Sequence, residues 1–152
     1  MPTYSACRSA RISADPQACF DALTAYETLP VWQSVVREAV VVERDDRGRG
    51  RVVEYEVDAR ITRVRYRLEL LYEEPTMIDS RYLGGDFAEM HGVWRLQPAA
   101  GGTCDASFDL SLDPGRSVPA AVRRMLAEIV VRGTLRDLAR HLQPPTVMLD
   151  KE

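Results

Sequence analysis

The sequence predicts an α+β fold in which a curved antiparallel sheet of about seven strands wraps around a long C-terminal helix. Three observations carry that prediction. Apolar and polar residues alternate with period two through most of the stretch from Val35 to Asp113, as strands with one buried face require. The apolar set switches from odd positions (Val53, Tyr55, Val57, Ala59, Ile61) to even ones (Val64, Tyr66, Leu68, Leu70, Tyr72), which a hairpin explains if both strands bury the same face. Finally, Ser117–Leu142 is the only helical segment long enough to cover a single-sided sheet.

The elements follow in order. Thr3–Ser13 reads as the first strand. Asp15-Pro16 opens a helix, with Asp15 as N-cap and proline at the first helical position, and the helix ends near Tyr26. LPVW at Leu29–Trp32 is a short turn. VVREAVVVERD is the second strand, and DDRGRG the turn after it. A two-residue loop at Thr62-Arg63 accounts for the odd-to-even switch, and leaves Glu54, Glu56, Asp58, Arg65, Arg67 and Glu69 in water. EEPT turns the chain into a fifth strand with Ile78, Ser80 and Tyr82 inward. After GGDF, Met90, Gly92, Trp94 and Leu96 continue the inner face, and beyond AAGGT so do Cys104, Ala106, Phe108, Leu110 and Leu112. In the last helix Ser117 serves as cap, and Val122, Met125, Leu126, Ile129, Gly133 and Leu138 form the apolar stripe. Residues 1–142 are expected to form one domain, with 143–152 a loose tail stopped by paired prolines.

Bulk properties exclude several classes. A net charge of -3 gives no electrostatic case for nucleic acid or an anionic membrane surface. No apolar run approaches the ~18 residues of a membrane span, and the N-terminus lacks a signal-peptide core. Cys7, Cys19 and Cys104 are odd in number, far apart in sequence and without a CxxC pair, so neither a disulfide framework nor a zinc site is expected. The expectation is a cytoplasmic protein, monomer or homodimer, without metal or cofactor.

The stretch YLGGDFAEMHGVWRL, Tyr82–Leu96, holds His91 beside Asp86 and Glu89 and resembles an active site at first sight. If Trp94 and Leu96 point inward, however, period two sends His91 outward, away from any interior substrate. His141 stands four residues after Asp137, a spacing that suits a solvated pair worth ~0.5 kcal/mol. Gly84-Gly85 fits neither phosphate-binding glycine pattern and reads as a lip or bulge. The interior set says more: Trp32, Tyr55, Tyr66, Ser80, Tyr82, Met90, Trp94 and Phe108 face the helix, with Met125, Ile129 and Gly133 opposite. Aromatic stripes usually mean core packing, yet every buried hydroxyl needs a partner, and a cavity with a weakly polar ligand would supply one. Gly133, in mid-helix, costs ~1 kcal/mol relative to alanine. It serves either close helix–sheet packing or room for a ligand.

ARISADPQACFDALTAYETLPVW, VVREAVVVERDDRGRG and GGDFAEMHGVWRLQP followed by GGT resemble the START-like SRPBCC superfamily, in particular its polyketide cyclase/dehydrase and coenzyme-Q-binding branch. The resemblance runs from Arg11 to Leu142. It implies a helix-grip fold enclosing a hydrophobic cavity, in a family whose members bind lipids, quinones or hormones, cyclise polyketides, or bind a protein partner. Binding of a lipid, quinone, isoprenoid or polyketide-like molecule is therefore the first expectation. An aromatase/cyclase or dehydratase is the second, with Arg81 and Tyr82 as its catalytic candidates, Arg81 only if the fifth strand's register shifts by one. A protein-interaction module like the ribosome-association toxins is the third, hinted at by Arg123, Arg124, Arg132 and Arg136.

Overall fold

The computed structural model describes residues 3–58, 62–116 and 118–143. The chain runs β1 (Tyr4–Ile12), α1 (Pro16–Thr24), a 3₁₀ turn (Tyr26–Thr28), α2 (Leu29–Trp32), β2 (Val36–Arg44), β3 (Gly50–Asp58), β4 (Arg63–Glu73), β5 (Met77–Gly85), β6 (Glu89–Ala99), β7 (Thr103–Asp113) and α3 (Ala120–His141). The strands form one antiparallel sheet in the order β1-β7-β6-β5-β4-β3-β2. Strands β1 and β2 thus hold opposite edges, and the segment between them crosses the sheet, with α1 against β6 and β7 and α2 against β2. Helix α3 packs on β1 and β7. This is the curved sheet with a C-terminal helix that the sequence predicts.

Local chemistry sets the element ends. Asp15 caps α1 by accepting from the Ala18 amide at 2.9 Å, and Pro16 occupies the first turn, where its missing N–H costs nothing. The helix stops at Thr24, two residues before Tyr26, and LPVW is one helical turn rather than an irregular one. The inner sheet face is apolar: Val53, Tyr55, Val57, Val64, Tyr66, Leu68 and Leu70 are all buried. On the outer face ion pairs cross between strands, among them Glu54–Arg67 at 3.0 Å and Glu56–Arg65 at 2.6 Å.

Two expectations change. Asp58 stands opposite Arg63, so Arg63 is already a paired strand residue and Thr62-Arg63 is not the two-residue loop. The offset is an even number of residues, so every side chain keeps its face, which is why the parity of the sequence could not expose the error. Ala59 and Ile61 lie outside the described residues, as do Ser117, read as the cap of α3, and the tail from Pro144. The α3 helix begins at Ala120, with Pro119 at its N-cap position making no side-chain capping bond. A bulge falls beside the glycine pair, at Leu83: the β4–β5 register slips between Arg67 and Leu68, which stand opposite Gly84 and Tyr82. Gly85 has φ 143°, and a Cβ there would lie 2.4 Å from the Arg65 carbonyl, so no other residue fits.

A cavity between sheet and helix and its groove

Between the inner sheet face, α2 and α3 lies a cavity walled chiefly by apolar side chains. Its volume, counted as the space a water's centre can reach, is about 90 Å³, within an envelope of about 890 Å³ that includes its opening. Tyr55, Tyr66, Ser80, Met90, Trp94 and Phe108 line it, all predicted from strand alternation. Trp94 and Phe108 are cross-strand partners whose rings stack at 4.4 Å, and Tyr55 and Tyr66 stack at 5.5 Å in the same way. Gly92 makes room for this wall: a Cβ there would meet Ser80 Oγ at 3.0 Å and Phe108 Cε1 at 3.1 Å.

The polar groups divide into satisfied and unsatisfied ones. Ser80 Oγ donates to the Gly92 carbonyl at 2.8 Å, and Thr134 Oγ1 donates to the Val131 carbonyl at 3.2 Å. The Tyr72 hydroxyl donates to the Gly50 carbonyl, so Tyr26 donates to Tyr72, at 2.7 Å. Tyr55, Tyr66, Trp94 and Gln33 are lining residues whose hydroxyls, indole N–H and side-chain amide bond to no described residue, and none of these atoms is sealed from solvent as Trp32 Nε1 is. Burial first, then the neighbouring phenols, pushes the ionisation of Tyr55 and Tyr66 well above the ordinary tyrosine range. Both remain neutral donors at any physiological pH.

Beside the cavity, along the opposite flank of α3, runs an open groove of about 850 Å³ by the same measure. Met125, Ile129 and Gly133, predicted as cavity residues, line this groove instead. The cavity receives Leu126, Val130 and Thr134, each one position further along the helix. One residue is a rotation of about 100°. The apolar residues of α3 span more than one face, and the helix lies over the β1–β7 end of the sheet, so two of its flanks are apolar and the sequence does not say which is enclosed. Val35 and Asp58 line both spaces and mark where they meet.

Other predicted site residues lie elsewhere. Trp32 is outside the cavity lining and stacks on His141 at 4.4 Å, its buried Nε1 unpartnered. His141 therefore does not pair with Asp137, whose Oδ2 accepts from both the amide and the hydroxyl of Ser34 at 2.9 Å. Tyr82 is half-buried at the lip, also outside the lining, and its hydroxyl donates to the Phe87 carbonyl at 2.7 Å. Arg81 keeps the outward register, 3.4 Å from Asp79, which also holds His91 at 2.7 Å. Neither catalytic candidate lines the cavity: alternation turns Arg81 to the outer face, and Tyr82, on the inner side, is held at the lip by its bond to Phe87. Cys19 and Cys104, far apart in sequence, are neighbouring buried free thiols; burial, then Cys104, raises Cys19 to about 12. Among the described residues no cluster of His, Cys, Asp and Glu could hold a metal ion, and no helix is long and apolar enough to cross a membrane.

Gln33, Tyr26, Phe87, Val130 and Thr134 are lining residues that sequence reasoning missed. Gln33 follows a helical turn and belongs to no periodic pattern, so only the packing of α2 against the sheet places it. For Val130 and Thr134 the signal was present, one position from the stripe chosen.

Residues 12–139 match the family described as polyketide cyclase / dehydrase and lipid transport. Solved structures with the same fold include a START superfamily protein from Mycobacterium smegmatis (TM-score 0.83, 15% identity, 92% of this chain and 97% of that one). The Zhui aromatase/cyclase from Streptomyces sp. R1128 superposes with TM-score 0.80 at 13% identity over 93% of this chain and 94% of that one. The di-domain ARO/CYC StfQ of the steffimycin biosynthetic pathway gives 0.70 at 17% identity, over 91% of this chain and 44% of that one. No curated protein matches the sequence. At these identities the structures speak for the fold alone, and it is the match over most of the chain that settles kinship: this protein belongs to the polyketide cyclase/dehydrase and lipid transport family.

Proposed function

We propose that this protein binds an uncharged, largely flat hydrophobic molecule bearing carbonyl or similar acceptor oxygens, such as a quinone or a polyketide-like ring system. The observation that carries this reading is the mismatch inside the cavity. Its walls are apolar, yet Tyr55, Tyr66, Trp94 and Gln33 bring donors that have no partner among the described residues. Unlike the sealed Trp32 Nε1, these donors face space that water can reach, so water holds them at little cost and a ligand's acceptor can take its place. All four can donate, the phenols stay protonated, and the surrounding apolar wall disfavours a charge, so an uncharged acceptor is the best complement. The cavity's 90 Å³ would hold roughly six to nine waters, less than a ligand of about twenty heavy atoms needs. Such a ligand needs the wider envelope of about 890 Å³ around that space. At ~0.3 kcal/mol per atom it binds with ~6 kcal/mol, or tens of micromolar, which suits a carrier.

Cyclisation is the second reading. Neutral donors aimed at carbonyl oxygens would fold a poly-β-ketone as well as hold a finished ring, and two of the similar structures are named as aromatase/cyclases. The outward Arg81 argues against it. A protein-docking role has less support, since Arg123, Arg132 and Arg136 are each bonded within the chain. We place the protein in a reducing, cytoplasmic compartment on its three free cysteines.

Native mass spectrometry of freshly purified protein, followed by solvent extraction, tests the carrier reading. A stoichiometric acceptor-bearing aromatic or isoprenoid molecule is the expected result. An empty protein that binds quinones and polyketide mimics no differently as wild type, Tyr66→Phe and Trp94→Ala would sink it.

A further inference from the structure

Gly133 is a glycine that neither packing nor backbone conformation demands. It lies inside α3, where glycine weakens folding about fivefold relative to alanine. Glycines of the sheet have visible reasons: a Cβ would strike Phe108 and Ser80 at Gly92, and the backbone of Arg65 at Gly85. At Gly133 a Cβ would meet only Arg136 Nη2 at 3.7 Å and Val35 Cγ1 at 3.9 Å, both ordinary contacts, and the arginine terminus is free to swing. Close helix–sheet packing is therefore not its purpose.

Its position suggests another. Gly133 lines the groove, while its neighbour Thr134 lines the cavity, and Val35, facing Gly133, lines both. The space left by its missing side chain thus lies in the wall between the two. Ile129, one helical turn back, continues the apolar floor of the groove toward the same point. We propose that Gly133 and Val35 form the portal through which the cavity exchanges its ligand with the groove, and that the absence of a side chain at 133 sets the width of what passes. The proposal rests on the cavity being a ligand chamber, and it assigns to Gly133 control of exchange rate rather than of affinity.

Stopped-flow fluorescence with prodan, an uncharged naphthalene bearing a ketone, separates the two ideas. Wild-type protein binds it saturably. Gly133→Leu, whose side chain reaches toward Val35, slows association and dissociation together, each about tenfold, with Kd within about threefold. Gly133→Ala slows both about twofold while raising Tm, and it decides the matter if the leucine variant does not fold. Tyr66→Phe, a change in the chamber itself, speeds dissociation and leaves association unaltered. Folded Gly133 variants with wild-type rates overturn the portal. So does a loss confined to one rate constant with a matching change in Kd, which would make Gly133 part of the bound site. If wild-type protein shows no saturable binding, the chamber reading fails and the portal fails with it.

Discussion

Tyr72 and Tyr66 both come from β4 and both point to the inner face, yet their hydroxyls do opposite things. That of Tyr72 closes a chain from Tyr26 to the Gly50 carbonyl, and burial raises its ionisation to about 12. Between the unfolded tyrosine pKa near 10 and this value, the native state holds a proton that the unfolded chain has lost, so stability falls as pH rises. Tyr26, Tyr55 and Tyr66 are shifted in the same direction and add to the slope. Urea midpoints should therefore begin to decline above about pH 8, where the raised thiols Cys19 and Cys104 first contribute, and fall steeply above about pH 10 as the tyrosines join. Loss of the Tyr72 hydroxyl in Tyr72→Phe leaves the Tyr26 hydroxyl and the Gly50 carbonyl short of partners and should cost about 1–3 kcal/mol in the same melts. Tyr66→Phe removes a hydroxyl with no protein partner. Its stability should stay within about 0.5 kcal/mol of wild type, while affinity for an acceptor-bearing ligand falls roughly tenfold by titration calorimetry. Sequence alternation placed both tyrosines inside, but could not tell a structural phenol from a vacant one, because that depends on which backbone carbonyls the fold brings near.

At the scale of elements, α3 decides most. It is tied to the start of β2 by Asp137, buried and accepting two hydrogen bonds from Ser34. Asp137→Ala leaves the Ser34 amide unpaired and should destabilise by about 1–3 kcal/mol in urea titrations, with Asp137→Asn nearer the wild type because its carbonyl still accepts. Gly133→Ala should do the reverse and stabilise by about 1 kcal/mol, since the added methyl meets only ordinary contacts. The extent of α3 was legible in its sequence to within a few residues. Its rotation was not, because its apolar residues cover two adjoining flanks and hydrophobicity does not distinguish a surface lining a cavity from one lining a groove. The strands suffered no such ambiguity: period two allows only two faces, one of them charged, and this is why Tyr55, Ser80, Met90 and Phe108 were found while Gln33 and Val130 were not.

Over the whole molecule, the sheet is one continuous antiparallel surface, and the cavity exists because α1, α2 and α3 bridge it without filling the space beneath. A ligand filling that space binds the native state alone, so Tm should rise with ligand concentration. Stabilisation of about 2.7 kcal/mol is expected when free ligand reaches a hundred times Kd, read as a shift in a thermal scan. The alternation of the chain by itself determined the sheet, its apolar face and the outward aim of Arg81 and His91, since those follow from covalent geometry acting residue by residue. Where α2 and α3 lie across that face, which flank of α3 is enclosed, and which donors are left without partners were decided only by the tertiary structure. Those are distances between segments remote along the chain, and no local periodicity encodes them.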